Sequence, residues 1–531
     1  MADAETGGAA VIDSLRAHGV RDVFGIPGTH NLELYRYLPT SGINHVVTRH
    51  EQGAGYAADG YARVSGRPGV IITTSGPGIT NAITALATSY ADSIPVLAIS
   101  PGPPRGQVGA DVGWLHEVKN QQASLEAVCA RSIRVESAPE IPEVIASIFE
   151  QFATSRPRPV HLEIPVDVLE GEWVRCDVPV RTLPAPVGPG SSTIESVAAA
   201  LDGARRPMLI AGGGARGAAE QVRALADYGI RVLTTVNGKG ILDEHHASAL
   251  GAGIRLPAAH HLVNEADVLI VVGSELGDSD LWGGVVAPGK IGRRIVIRID
   301  LDPAQMHKNV VADIAVVGDS TVVLVQLLDV MRDKGFASLD VDPADRQSIA
   351  AGAGADAGPW AEIQRALAAV LPSDTVVAGD SSQVTYYGTV HYWPFTPANR
   401  LLYPTGYATL GYGLPAAIGA KVADPARAVV AVIGDGAAMF SIQELITATE
   451  LGLPIPIVIV DNGGYAEIRE QMVARGIKTQ AVDLYRPDIP ALATAIGAIG
   501  VIADSAEDIA RRALEALSAD RPTVIYHHVD S

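Results

Sequence analysis

The chain has 531 residues, 47% of them hydrophobic and 19% charged, which describes a folded protein of two or three domains and excludes a disordered one. Its net charge of −19 argues against nucleic acid or an anionic membrane surface as a partner, because phosphate binding needs a basic face. Two cysteines (Cys129 and Cys176), an acidic Met1-Ala-Asp-Ala-Glu start and apolar runs no longer than a strand point to a reducing cytoplasm and no membrane span.

Residues 1–178 alternate strands and helices. Helical spacing over 7–18 stops at Gly19, and Val23-Phe-Gly-Ile26 is a short strand. The loop Pro27-Gly28-Thr29-His30-Asn31 follows, then a helix over 32–38. A strand over 45–48 runs into Arg49-His50-Glu51-Gln52, ahead of a helix over 53–64. Next come a strand over 69–74, the loop Ser75-Gly76-Pro77-Gly78, a helix over 79–90 and a strand over 95–100. Alternation this regular predicts an α/β fold built on a doubly wound parallel sheet. The Pro- and Gly-rich tract over 178–190 reads as a linker. A second α/β domain spans 191–332, with strands over 208–211, 231–234, 268–272 and 294–299. Residues 333–358 read as loose chain, and a third α/β domain fills 359–531.

The third domain holds the most informative stretch. Val429-Val-Ala-Val-Ile-Gly-Asp-Gly436 and Val458-Ile-Val-Asp-Asn-Gly-Gly-Tyr465 both begin as continuous β-branched runs, the pattern of strands buried on both faces. Between them, residues 440–451 have helical spacing and stop at Gly452 and Pro454. Both strands therefore end in polar loops, where open α/β sheets bind ligands. Asp435 and Asn462 offer a carboxylate and an amide oxygen to a hard cation, and a Mg²⁺ held by so few protein oxygens takes phosphate oxygens to complete its octahedron. Gly434 and Gly436 let a diphosphate come close to the backbone.

Gly434-Asp435-Gly436 with Asn462 27 positions after the aspartate resembles the signature of thiamine diphosphate enzymes. The resemblance implies Mg²⁺ ligands at Asp435, Asn462 and the main chain of Gly464, and thiamine diphosphate contacts at Gly434, Gly436 and Tyr465. That family usually has two consecutive asparagines; here the first is Asp461. The run from Arg49 to Arg63 resembles the pyrimidine-binding segment of the acetolactate synthase and 2-oxo acid decarboxylase superfamily. Read alone, Glu51 is an acid complementing a helix N-terminus. The resemblance instead implies that it hydrogen-bonds the cofactor's aminopyrimidine and promotes loss of the thiazolium C2 proton. Ser75-Gly-Pro-Gly-Ile-Thr-Asn81 matches the loop facing the cofactor. The segment from Pro404 to Gly419 matches the one that holds the cofactor bent, with Leu410 beneath it and the Ala408 carbonyl accepting from its amino group. Asp380-Ser381-Ser382-Gln383 resembles the loop touching the diphosphate. Ala437 stands where a hydroxyl often comes after the Gly-Asp-Gly, which leaves that phosphate contact to backbone amides and Ser382.

Members of this superfamily share the attack of thiamine on a 2-oxo acid and the loss of CO₂, and diverge in what the resulting enamine meets. Flavin-containing members place FAD on the central domain. FAD is not expected here, because Gly212-Gly213-Gly214 and the Gly273 region lack the accompanying arginine and acidic pattern. The segments from Phe24 to Arg36 and from Gly113 to Glu117 are similar to those of 5-guanidino-2-oxopentanoate (2-ketoarginine) decarboxylases. That similarity makes His30, His116, Glu117 and Glu467 candidates beside the reacting centre, with a guanidinium as a partner for Glu467 or Glu117. Each histidine is also readable as a satisfied structural residue, and Glu467 as a helix-start acid. The implied partners are a small 2-oxo acid and further copies of the chain, as a homodimer or homotetramer with sites formed between subunits. Three outcomes stay open: non-oxidative decarboxylation, acetolactate-synthase-like carboligation, and a cofactor-binding paralogue without turnover.

Overall fold

The computed structural model describes residues 5–281, 286 and 294–529. Three parallel sheets succeed one another along the chain. The N-terminal sheet comprises β1 (Asp22–Gly25), β2 (Asn44–Val47), β3 (Gly69–Ile72), β4 (Val96–Gly102), β5 (Arg131–Arg134) and β6 (Val160–Pro165), in the order β2-β1-β3-β4-β6-β5. The central sheet comprises β7 (Met208–Ala211), β8 (Arg231–Thr234), β9 (Val268–Val272), β10 (Ile295–Asp300) and β11 (Ile314–Val317), in the order β8-β7-β9-β10-β11. The C-terminal sheet comprises β12 (Val376–Gly379), β13 (Arg400–Leu402), β14 (Val429–Gly434), β15 (Pro456–Asp461), β16 (Ile499–Ile502) and β17 (Thr523–His528), in the order β13-β12-β14-β15-β17-β16. The first and third sheets thus share one topology. The central strands β3, β4, β14 and β15 are buried along their whole length, as expected where helices cover both faces of a parallel sheet.

The outer domains meet through two helices, α1 (Glu51–Ser65) and α2 (Gly413–Ala423). Both are rich in Ala and Gly, so their backbones come into contact. A Cβ on Gly419 would lie 1.8 Å from the Ala57 carbonyl oxygen, and only glycine allows that approach.

Sequence and structure differ at three helices. Residues 333–358 are not loose: Pro343–Ala357 is a helix, capped by Asp342, whose side chain accepts from the Ala344 amide. Its buried side is Ile349, Ala353 and Ala357, too small and sparse to register as a periodic stripe. The helix expected over 79–90 is two, Pro77–Asn81 and Ile83–Asp92. The one expected over 440–451 begins only at Glu444. Residues 174–190 carry no regular element, as a linker should. Among the described residues no helix is long and apolar enough to cross a membrane.

Candidate active site

Parallel pairing of β14 with β15 sets Gly434 opposite Val460, so Asp435 and Asn462 leave neighbouring strand ends. Asp435 opens the short helix Asp435–Ala438. One cavity of about 760 Å³ gathers Ser382, Gln383, Ala408, Leu410, Gly434, Asp435, Gly436, Asn462, Gly464, Tyr465 and Glu467. The expected diphosphate and metal residues are therefore brought together from three separate stretches of the C-terminal domain.

The residues fit a divalent cation with a diphosphate. Asp435 Oδ1 is buried and has no hydrogen-bond partner, a costly state that a bound cation would relieve. Burial, followed by the neighbouring Asp461 charge, pushes the Asp435 carboxyl above the usual range. Asn462 donates through Nδ2 to Gln383 Oε1 at 3.0 Å. A Cβ on Gly436 would sit 3.0 Å from the Tyr465 ring, so glycine keeps this floor of the cavity open. No cluster of three or more His, Cys, Asp or Glu side chains suited to a metal occurs among the described residues. A site of one carboxylate, one amide and one main-chain carbonyl instead leaves positions for phosphate oxygens. Ser382 Oγ donates to Asp380 Oδ1 at 2.6 Å and accepts from the Gly434 amide at 3.0 Å, which ties the 380–383 loop to the end of β14.

Glu467 lies at the start of α3 (Ala466–Ala474). Its Oε2 accepts from Gln383 Nε2 at 3.2 Å, from the Tyr386 hydroxyl at 3.0 Å and from the Tyr387 hydroxyl at 3.1 Å. Its Oε1 accepts from Gln471 Nε2 at 3.0 Å. Burial alone would raise the Glu467 carboxyl, but these four bonds outweigh it and hold the group below the usual carboxylate range. All four donors are neutral, and Glu467 forms no salt bridge among the described residues. Sequence reasoning missed Tyr386, Tyr387, Gln471 and Arg255, which packs its guanidinium 4.8 Å from the Tyr387 ring and pairs with Asp356. The tyrosines sit on a single wide helical turn, Val384–Thr389, that no sequence period announces. Only the spacing of Glu467 and Gln471, one helical turn apart, was there to be read.

Glu51, His30 and His116 are outside this cavity and form a cluster of their own at the carboxyl edge of the N-terminal sheet. Glu51 is the first residue of α1, 8% exposed, and its Oε2 accepts from Asn81 Nδ2 at 2.9 Å. The buried Glu444 carboxylate of the C-terminal domain accepts the amides of Arg49 and His50, at 3.1 and 3.0 Å, fixing the backbone just ahead of it. His30 Nδ1 and Ser75 Oγ are 2.6 Å apart, and Ser75 Oγ is 3.4 Å from His116 Nδ1. His30 stacks on Trp114 with ring centroids 4.5 Å apart. Burial, then the proximity of His116, lowers the His30 pKa from its ordinary value. Glu117 also lies outside this cavity. Its carboxylate accepts the amides of Asp111, Gly113 and Trp114, so it organises its own loop.

Two groups of residues at sheet ends, one around Asp435 and one around Glu51, lie in a chain that belongs to the thiamine pyrophosphate enzyme family, a class of thiamine-dependent enzymes. Models of that family's N-terminal TPP binding domain, central domain and C-terminal TPP binding domain match residues 5–124, 194–327 and 380–527. Among individual relatives, a probable 2-ketoarginine decarboxylase of Pseudomonas aeruginosa is 40% identical over 503 residues, covering 93% of this chain and 88% of the relative. A probable acetolactate synthase large subunit of Methanocaldococcus jannaschii is 34% identical over 550 residues, 98% of this chain and 91% of the relative. The acetolactate synthase isozyme 2 large subunit of Escherichia coli is 33% identical over 539 residues, 98% and 95%.

Proposed function

We propose that the chain is a Mg²⁺-dependent, non-oxidative 2-oxo acid decarboxylase that releases CO₂ and an aldehyde, and that its substrate has a basic side chain, with 5-guanidino-2-oxopentanoate the leading candidate. The observation that carries this is Glu467: an anionic carboxylate facing the cavity whose described partners are all neutral. Three of its hydrogen bonds crowd Oε2 and one engages Oε1, which keeps an open acceptor position, and no cation is bonded to the group among the described residues. A cationic substrate end would pair with the open side of Oε1. The similarity to the P. aeruginosa relative supports the same substrate class.

Bound thiamine diphosphate would supply the carbon nucleophile and the electron sink for loss of CO₂. The chain's own residues bind, orient and move protons. Asp435, Asn462 and the Gly464 carbonyl would hold Mg²⁺; Gly434, Gly436, Ser382 and Gln383 would receive the diphosphate; and Tyr465 would wall it in. Ala408 and Leu410 would support the cofactor between its ends, while Glu51 would engage the pyrimidine ring. His30 and His116, joined through Ser75, would hand a proton to the product carbon.

Because Glu51 and the cavity do not meet within one chain, the working unit is at least a dimer, in which one subunit's Glu51 cluster faces another's cavity. Apolar side chains exposed around both half-sites support this: Leu32, Val112 and Leu115 near His30, and Tyr407, Phe440 and Ile468 near the cavity. Carboligation is the second reading, favoured by the acetolactate synthase relatives. Product analysis separates the two. Incubation with 5-guanidino-2-oxopentanoate should yield CO₂ and the corresponding aldehyde. Preferred turnover of pyruvate to acetolactate would refute decarboxylation and establish the carboligase.

A further inference from the structure

The segment that carries Ala408 and Leu410 is held from outside its own domain. Asp92, the last residue of the N-terminal-domain helix Ile83–Asp92, accepts the Thr405 amide through Oδ2 at 3.1 Å and the Gly406 amide through Oδ1 at 2.9 Å. Its carboxylate is itself fixed by Arg63 Nη2 at 2.8 Å and by Asn237 Nδ2 of the central domain at 3.1 Å. Arg63 also donates to Asp59 Oδ1 at 2.6 Å and to Asn237 Oδ1 at 2.9 Å, so all three domains meet at this point. The Asp92 and Arg63 side chains are only 1% and 4% exposed. Farther along the same segment, the Tyr56 hydroxyl shares a 2.6 Å hydrogen bond with Thr409 Oγ1, and the Thr409 carbonyl accepts from the Ser381 amide at 3.5 Å.

Between these two anchors Ala408 adopts a φ of +51°, a left-handed conformation that a β-carbon disfavours and that persists only where neighbours impose it. The imposed geometry points the segment into the cavity: Ala408 and Leu410 both line it. By contrast, the surface pair Arg49–Glu450 also joins the outer domains but touches no cavity residue.

We infer that Asp92 and Tyr56 are positioning residues, contributed by the N-terminal domain, that set the 405–410 segment against thiamine diphosphate bound in the same chain's cavity. The inference rests on the proposal that this cavity takes thiamine diphosphate. It explains why α1 carries Tyr56, Asp59 and Arg63 behind Glu51: the helix that presents the acid at its N-terminus also braces the cofactor segment along its flank.

The test is calorimetric titration of thiamine diphosphate with Mg²⁺ into the full chain, beside the melting temperature of the cofactor-free protein. Tyr56→Phe removes the hydroxyl's bonds to Thr409 and Gln52, and Thr409→Val removes the bond to Tyr56; each should weaken cofactor binding about five- to tenfold. Thr409→Ser, which keeps the hydroxyl, should bind like wild type. Asp92→Asn should weaken binding more than either; if it does not fold, the Tyr56 and Thr409 variants decide. Glu450→Gln, which breaks the surface interdomain pair, should leave affinity unchanged. Wild-type affinity in both Tyr56→Phe and Thr409→Val would overturn the inference, as would equal losses in Thr409→Ser and Thr409→Val. A wild-type chain that binds no thiamine diphosphate would instead overturn the functional proposal, a result visible before any variant is made.

Discussion

Replacing Glu467 by Gln tests the substrate assignment most directly, because it removes a charge while nearly preserving shape. In the structure the carboxylate accepts four hydrogen bonds, three of them on Oε2. The amide keeps an oxygen that can face Tyr386 and Tyr387, so the wall should stay in place, while its NH₂ group turns towards Gln471. What is lost is the negative charge facing the cavity. A hydrogen bond to a charged group contributes about 1.5–3 kcal/mol. Glu467 is only half-buried, so screening by solvent places the loss near the lower end, at about 1.5–2 kcal/mol. That corresponds to about a ten- to thirtyfold fall in kcat/KM for 5-guanidino-2-oxopentanoate. The control is an uncharged 2-oxo acid of similar length, whose kcat/KM should change by less than about threefold, since it never met the lost charge. An acid or base in the chemical step would slow both substrates alike. Equal losses would therefore refute a charge-recognition role and turn Glu467 into a proton-transfer group. No loss with either would leave it a structural acid.

The same geometry sets four other outcomes. Asp435→Ala should abolish calorimetrically detectable binding of thiamine diphosphate with Mg²⁺, and unchanged affinity would remove this strand end from the site. Glu51→Gln should keep cofactor affinity within about tenfold but slow exchange of the cofactor's C2 proton by about two to four orders of magnitude, the usual weight of a general acid or base. Because burial and then His116 lower the His30 pKa, the imidazole is neutral at neutral pH and charges only as pH falls through that lowered value. A proton donor acts in its charged form, so the alkaline limb of the kcat/KM profile should lie below 6.5 and be lost in His30→Gln; a wild-type alkaline limb above 6.5 contradicts the assignment. Mixed oligomers of inactive Glu51→Gln and Asp435→Ala chains should regain part of the activity, since one composite site would carry neither change. A fully active monomer in sedimentation would rule out the shared site.

Residues whose placement derives from a strand end were legible in the sequence. Asp435 and Asn462 could be assigned because two β-branched runs fix where β14 and β15 stop, and a parallel pair must stop side by side. Glu51 was placed by the same logic at the end of β2. Residues whose placement depends on tertiary packing were not legible. Tyr386 and Tyr387 both turn towards Glu467 only because their helical turn is widened, which an ordinary helical period does not anticipate. The loop contacts of Glu117 were not legible either, because a resemblance does not say which amides a carboxylate accepts. The helix Pro343–Ala357 was missed because alanines and glycines can bury a face without a hydrophobic signal.

The shared strand order of the outer sheets gives the divided site a geometric cause. A doubly wound sheet offers its ligand crevice at the carboxyl ends of its strands, and this chain has two such ends of one topology, one lined by Glu51 and the other by Asp435. Packing α1 against α2 fastens the two domains of one chain flank to flank, at the contact where Gly419 meets the Ala57 backbone. Glu51 is not among the residues that line the cavity holding Asp435. A cofactor with a pyrimidine at one end and a diphosphate at the other needs both kinds of crevice at once. The same packing brings α1 against the 405–410 segment, which Asp92 and Tyr56 of the N-terminal domain hold by hydrogen bonds; on the proposed dimer, Glu51 would serve another chain's cavity. A substitution at the α1–α2 contact should therefore disturb diphosphate binding in the chain that carries it and C2 proton exchange in its neighbour, two effects that mixed oligomers can assign to different subunits.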